Sequence, residues 1–295
     1  MKIQTIEGLS MGGTWRLRLP AGDNPRAMVQ TALDLVDAQM SAWRPASALC
    51  RINAAPIGEW VPIPAETAHV IGTGLALMQA APDAFSILMG GAQAREGFVP
   101  GRSCAASNDP ALLELDGHRA RRRADVALDL NAIAKGFAAD LVALMLTEAG
   151  HRNFLIEVAG DIVARGQRPD GLPWTVAMEL PIPDRMIAAR LIPLQDIAIA
   201  TSGGYRRAKG MRSHLLSPVT GQPMAATDAS VAVLAPTAMQ ADGWATVLAV
   251  LGPEKGLAFA TMHGLAAVFI APAADGFVEH GSPAMARLLD AAHAA

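Results

Sequence analysis

Cysteine is scarce in this chain: two of 295 residues, Cys50 and Cys104, with no CxxC spacing. Neither a structural zinc site nor a thioredoxin-like redox motif has the ligands it needs. Aromatics are also few, at 4% with a single tyrosine, so the core is built from Ala, Val, Leu, Ile and Met. Neither sign of charge is in excess: 24 Lys and Arg against 27 Asp and Glu leave a formal charge of −3. That balance gives no basis for a nucleic-acid-binding surface. The one basic cluster, Arg119, Arg121, Arg122 and Arg123, reads as a solvated turn before a strand. No stretch reaches the ~18 apolar residues of a membrane span. Met1 to Gly8 lack the apolar core of a secretory signal, so the expected location is cytoplasmic, or periplasmic if a leader precedes this sequence. The GxxxxGK[ST] phosphate loop and the G-x-S-x-G nucleophile elbow are both missing.

The hydrophobic content, 52%, is enough for a sizeable core. Apolar alternation predicts strands over 10–19, 125–130, 154–158, 162–165, 174–180, 187–194, 197–201, 231–234 and 266–270. Helical spacing predicts helices over 25–42, 65–81, from about 131 to Ala149, and from Ala238 to Leu251. The first of these has Pro25 at its start; Gly150 ends the third and Gly252-Pro253 the fourth. Prolines break 43–64 and glycines break 83–123, so both read as loop with short pieces of structure. Strands come singly and in runs, without regular βαβα alternation. The fold class is α+β: one large domain over 1–295, with mainly antiparallel sheet and flanking helices.

Five segments carry residue types suited to chemistry. Thr237 caps a helix, with Gln240 three residues on as in a capping box. Asp242 and Thr246 then fall one turn apart on one face. A carboxylate and a hydroxyl are hard oxygen donors suited to Mg²⁺ or Ca²⁺, and a Mg²⁺ site commonly serves a phosphate-bearing partner. The same spacing fits an ordinary capped helix whose Thr bonds its own backbone. Asp129 to Phe137 runs from a strand end into a helix start, where N–H groups and Lys135 favour phosphate; a strand-to-helix turn with an exposed Lys is the plainer reading. Thr201-Ser202-Gly203-Gly204 forms an anion nest or a simple turn. In Ser213 to Gly221, His214 can act as a base or a phosphate donor near neutral pH, or as a structural histidine. Trp43, in a proline-bounded loop, presents an aromatic face for stacking on a planar ligand.

Taken in order, these segments resemble the ApbE-type FAD:protein FMN transferases. Met11-Gly12-Gly13-Thr14 resembles the family's MGT, and Gln39 to Asn53 is similar to MSTYRPDSELSRLN. Asp129 to Asp140 resembles DLGGIAKGYAVD, and Ile156 to Asp161 resembles IEVGGEI. Thr201 to Arg206 resembles TSGDYR, Ser213 to Gly221 SHIIDPRTG, and Pro236 to Pro253 PTAMLADALATALFVLGP. The resemblance implies Mg²⁺-dependent transfer of FMN from FAD to a Thr or Ser of a partner flavoprotein, with AMP leaving. It implies metal ligands at Asp242, Thr246 and the Ala134 carbonyl, with the Ala245 position contributing. Flavin contacts are implied for Met11, Trp43, Ala84-Phe85-Ser86, Asn131, Lys135, Phe137 and Leu216, and a catalytic role for His214 and Asp242. Three carboxylate positions of the family pattern are Ser86, Gly204 and Ser217 here. Two alternatives therefore stay open: a non-catalytic FAD-binding protein, and a Mg²⁺-dependent FAD pyrophosphatase yielding FMN and AMP.

Overall fold

A computed structural model describes residues 2–182, 187–203, 212–225 and 228–294. In chain order the elements are β1 (Ile3–Ser10), β2 (Gly13–Pro20), α1 (Arg26–Met40), α2 (Ala48–Ala54), β3 (Val61–Pro62), α3 (Ala65–Ala80), α4 (Gly90–Arg95), β4 (Leu113–Asp116) and β5 (Arg119–Arg122). There follow α5 (Ala134–Glu148), β6 (Phe154–Val158), β7 (Asp161–Arg165), β8 (Trp174–Glu179), β9 (Ala188–Leu194), β10 (Ala198–Gly203), β11 (Arg212–Leu216), β12 (Pro223–Ala225), β13 (Ser230–Ala235), α6 (Ala238–Met262), β14 (Ala266–Ala273), β15 (Gly276–Gly281) and α7 (Pro283–Ala294). The chain folds as two compact units. The first comprises Met1–Leu33, Lys135–Arg206 and Thr227–Ala295, the second Asp34–Ala134 and Arg207–Ala226. Among the described residues, no helix is long and apolar enough to cross a membrane.

The first unit is built on an eight-stranded sheet in the order β1-β2-β6-β7-β10-β13-β14-β15, with each neighbouring pair antiparallel. Its central strands read as continuous apolar runs because both faces are covered. On β13, Val231, Val233 and Ala235 pack with Ala241, Ala245 and Leu248 of α6. Ala232 and Leu234 point the other way, into a cluster with Trp174, Ile192, Met285 and Leu289. The α+β expectation with mainly antiparallel sheet therefore holds.

Local differences have identifiable causes. The Thr237 hydroxyl accepts the Gln240 N–H at 3.2 Å, as an N-cap should. Gly252, at φ 76°, does stop the first stretch of α6, but the helix resumes at Pro253 and runs to Met262. Thr201, Ser202 and Gly203 stay in the ladder opposite Ala232, Val231 and Ser230 rather than turning; Gly204 lies outside the described residues.

The second unit corrects two expectations. Asp125 to Leu130 shows the predicted alternation of buried and half-buried residues but forms no strand. Its polar groups are paired one by one instead. The Asn53 amide accepts from Leu128 N and donates to Leu128 O, at 2.7 and 2.9 Å. Gly90 N–H donates to Ala127 O, and Asp129 N–H to Ile87 O. The basic cluster is likewise not a turn: Arg119, Arg121 and Arg122 lie on β5, with Arg123 just beyond it, and Arg122 is buried with its guanidinium donating to the carbonyls of Ile52, Val126 and Ala55. Arg119 and Arg121 lie over Trp60.

Candidate active site

Two helices, α5 and α6, set Asp242 beside Lys135 and Gly136. α5 and α6 approach closely because Gly136 lacks a side chain: a Cβ there would sit 2.4 Å from the Ala238 carbonyl oxygen. Gly136 and Asp140 are one turn apart on α5, so both face α6. The Asp140 carboxylate accepts the Ala238 and Met239 N–H groups at 2.7 and 2.9 Å, satisfying orphan donors at the start of α6. Asp242, one turn into α6, is buried. It accepts from the Gly136 N–H at 3.4 Å and pairs with Lys135 Nζ at 3.2 Å. Lys135 Nζ also reaches Asp161 Oδ2 at 3.1 Å.

Burial pushes the Asp242 carboxyl well above the ordinary carboxylate range, the Asp161 charge adds to this, and Lys135 and the Gly136 N–H oppose it. Burial also works against the Lys135 ammonium, but Asp161 and Asp242 outweigh it and hold the group charged. Lys135, expected beside a phosphate or exposed on a strand-to-helix turn, is instead engaged by two carboxylates.

Thr246 follows on the same face of α6. Three helical threonines donate to the carbonyl one turn back, Thr31 to Ala27, Thr147 to Ala143 and Thr261 to Leu257, whereas Thr67 donates to Gln39 Oε1. Thr246 makes no such bond, and among the described residues its hydroxyl has no partner. The ordinary reading of a Thr tied to its own backbone is therefore not what the helix shows. Ala245 buries its methyl in the core, which leaves only its main chain for any ligand. Ala134 opens α5, two residues before Gly136. Among the described residues, no three His, Cys, Asp or Glu side chains gather at one point. A mixed set of carboxylate, hydroxyl and carbonyl oxygens fits Mg²⁺, which keeps open positions for substrate phosphates.

The other predicted site residues divide into exposed and buried. Met11, at φ 51°, and Gly12, at φ 72°, make the tight turn between β1 and β2, a two-residue hairpin with both φ values positive. Trp43 is 70% exposed, as a stacking residue requires. Asn131 is exposed, its N–H on Asp129 Oδ1 at 3.0 Å. Phe137 is 9% exposed. Ala84 and Phe85 are fully buried and both donate their N–H groups to the Ala81 carbonyl, so the Phe85 ring is a core residue. The Ser86 hydroxyl accepts the Leu88 N–H at 2.9 Å and donates to the Ser107 carbonyl at 2.6 Å. Leu216 packs with Met89 and Ala92. Ser217 accepts the Thr220 N–H at 3.4 Å, so Ser at this position still supports its turn. His214 lies on β11, with its side chain outside what is described.

Sequence reasoning missed Asp161, Asp140 and a cavity of about 650 Å³ in the second unit, lined in part by Asn53, Cys104, Arg122 and Asp129. Of these, only Asp140 carries a sequence signal, its spacing of four from Gly136.

Against known proteins, the ApbE family model matches residues 11–269. The chain belongs to the ApbE family. Among curated relatives, the FAD:protein FMN transferase of Klebsiella pneumoniae (strain 342) is 32% identical over 305 residues, covering 94% of this chain and 87% of the relative. The FAD:protein FMN transferase of Vibrio cholerae serotype O1 is 32% identical, covering 94% and 90%. Among solved structures, the apo form of the Pseudomonas stutzeri flavinyl transferase ApbE matches with a TM-score of 0.86 at 31% identity, covering 98% of this chain and 97% of that one. Membership of the ApbE family makes the chain an enzyme, a flavin transferase.

The carboxylate that caps α6 gives this ApbE fold a pH signature. Burial raises Asp140 to about 6, against the opposing pull of the Met239 and Ala238 N–H groups. A raised carboxyl pKa means that the folded state holds the proton more tightly than the unfolded chain. The associated stability is present below pH ~4 and lost as pH rises through ~6, roughly 3 kcal/mol in all. Denaturant unfolding of wild type and Asp140→Asn at pH 4 to 7 should show wild-type stability falling relative to the variant. A relative rise with pH would contradict the assignment.

Proposed function

We propose that this chain transfers FMN from FAD to a Thr or Ser hydroxyl of a partner flavoprotein, using Mg²⁺ and releasing AMP. The acceptor oxygen attacks the FMN phosphorus, the bond from that phosphorus to the AMP phosphate oxygen breaks, and AMP leaves with the electron pair. Mg²⁺, when bound, neutralises charge on the pyrophosphate. The residues that would hold it are Asp242 and Thr246 by side chain, with main-chain oxygen from Ala134 and the Ala245 position. Lys135 pairs with Asp242 through its ammonium and fixes where that carboxylate stands. Trp43 offers its exposed ring to a flavin or adenine face. His214, by its motif position, is the base that takes the acceptor proton.

The observation that carries this reading is the Thr246 hydroxyl, without a partner among the described residues, one turn beyond a buried carboxylate. The test is Thr246→Val, which keeps the side-chain shape and breaks no internal hydrogen bond. Unfolding free energy should stay within about 0.5 kcal/mol of wild type. The Mg²⁺ concentration giving half-maximal transfer should rise by about tenfold, as expected for one lost ligand of ~1.4 kcal/mol. An unchanged Mg²⁺ dependence would remove Thr246 from the metal site.

A further inference from the structure

Asp161 has no task in the reaction as described above, yet it is among the few buried charged groups of the chain. Its side chain is 3% exposed, that of Asp242 8% and that of Lys135 21%. Among the described residues, the only hydrogen bond its carboxylate accepts comes from Lys135 Nζ, at 3.1 Å. Ala159 and Gly160, at φ 51° and 102°, form the tight β6–β7 turn that sets Asp161 opposite Val158. That turn is pinned in turn to β2, where the Ala159 N–H donates to the Thr14 carbonyl at 3.0 Å. Asp161 is thus a short, fixed carboxylate presented to one ammonium.

The ammonium it holds has a second partner. Lys135 Nζ lies 3.4 and 3.2 Å from the two oxygens of Asp242. A buried ammonium needs a carboxylate. With Asp161 present, Lys135 can remain paired while Asp242 turns its oxygens to another cation. Without it, Asp242 is the only carboxylate Lys135 has, and a metal must displace the ammonium to bind.

We propose that Asp161 is a positioning residue: by holding Lys135, it frees the Asp242 carboxylate for the metal. This rests on the Mg²⁺ reading of Asp242 given above. The test is a double-mutant cycle read by calorimetric titration of Mg²⁺ into the full-length protein, with thermal unfolding of each variant recorded without metal. Asp161→Asn should weaken Mg²⁺ binding by about tenfold, within the range of measured pair couplings. In the Lys135→Met background the same substitution should change it less than about twofold, because the competing ammonium is gone. Asp161→Glu, which keeps the charge, should recover most of the affinity and keeps the test available if the Lys135 variant does not fold.

Equal losses for Asp161→Asn with and without Lys135, or equal losses for Asn and Glu at 161, would overturn the proposal while leaving the metal at Asp242. A wild-type protein that binds no Mg²⁺ would overturn the metal reading itself, and this inference with it. A purely structural role for Asp161 would lower the unfolding temperature without producing the coupling.

Discussion

Asp242→Ala is expected to abolish flavin transfer while leaving a folded protein. The carboxylate is the only anionic ligand proposed for the metal, and metal stabilisation of phosphoryl charge is worth several kcal/mol. A loss of about 4 kcal/mol is a rate decrease of roughly three powers of ten. Stability should change far less, because three effects offset one another. Lys135 keeps Asp161 as a partner at 3.1 Å. The Gly136 N–H loses only a long bond of 3.4 Å. Removing a carboxylate whose ionisation burial already disfavours relieves a strain on the fold. Steady-state transfer and denaturant unfolding, measured on the same preparation, check both halves. A variant with more than a tenth of wild-type transfer would reject Asp242 as the metal carboxylate.

Gly136→Ala should destabilise the protein by about 2–3 kcal/mol, opposite in sign to what helix propensity alone predicts. Gly136 lies inside α5, where Ala is normally preferred by about 1 kcal/mol. Here the added methyl would meet main-chain atoms rather than a side chain that can rotate away. The Ala238 carbonyl oxygen and carbon lie 2.4 and 2.6 Å from the Cβ position, and the Met239 Cα 2.7 Å. The helices must separate, which also pulls the Ala238 and Met239 N–H groups from Asp140 and Asp242 from Lys135. The variant should therefore lose Mg²⁺-dependent activity along with stability. Equilibrium unfolding in urea decides it: a variant as stable as wild type, or more so, would show that α5 and α6 are not held by this contact.

These two residues also show what was legible in the sequence. Asp242 and Thr246 lie four apart on one helix, so their shared face follows from helical geometry alone. The partners of Asp242 do not. Lys135 is 107 residues away in the chain, and Asp161 reaches it only through the turn between β6 and β7. Burial of Asp161 depends on strand order, which no local pattern contains. The fold divides in the same way. β13 and β14 were visible because sheet strands covered on both faces are apolar throughout. β1, mostly exposed at the sheet edge, lacks that signal. α2 is seven residues long and flanked by Pro45 and Pro56, too short for a helical period to emerge from the breakers around it. Asp125 to Leu130 misled because alternation reports burial, and an extended segment can be half-buried without a neighbouring strand.

The ordinary functions of Ser86 and Ser217 bear on the chemistry. Both use their hydroxyls to hold local turns.

The central claim is tested most directly by mass spectrometry of an acceptor. The protein is incubated with FAD, Mg²⁺ and a flavoprotein domain bearing an acceptor threonine, with a matched sample stripped of metal by chelation. The account predicts an FMN adduct on the acceptor and one AMP released per adduct, both lost on chelation and restored by added Mg²⁺. AMP without adduct, or an adduct that forms equally well without divalent metal, would contradict it.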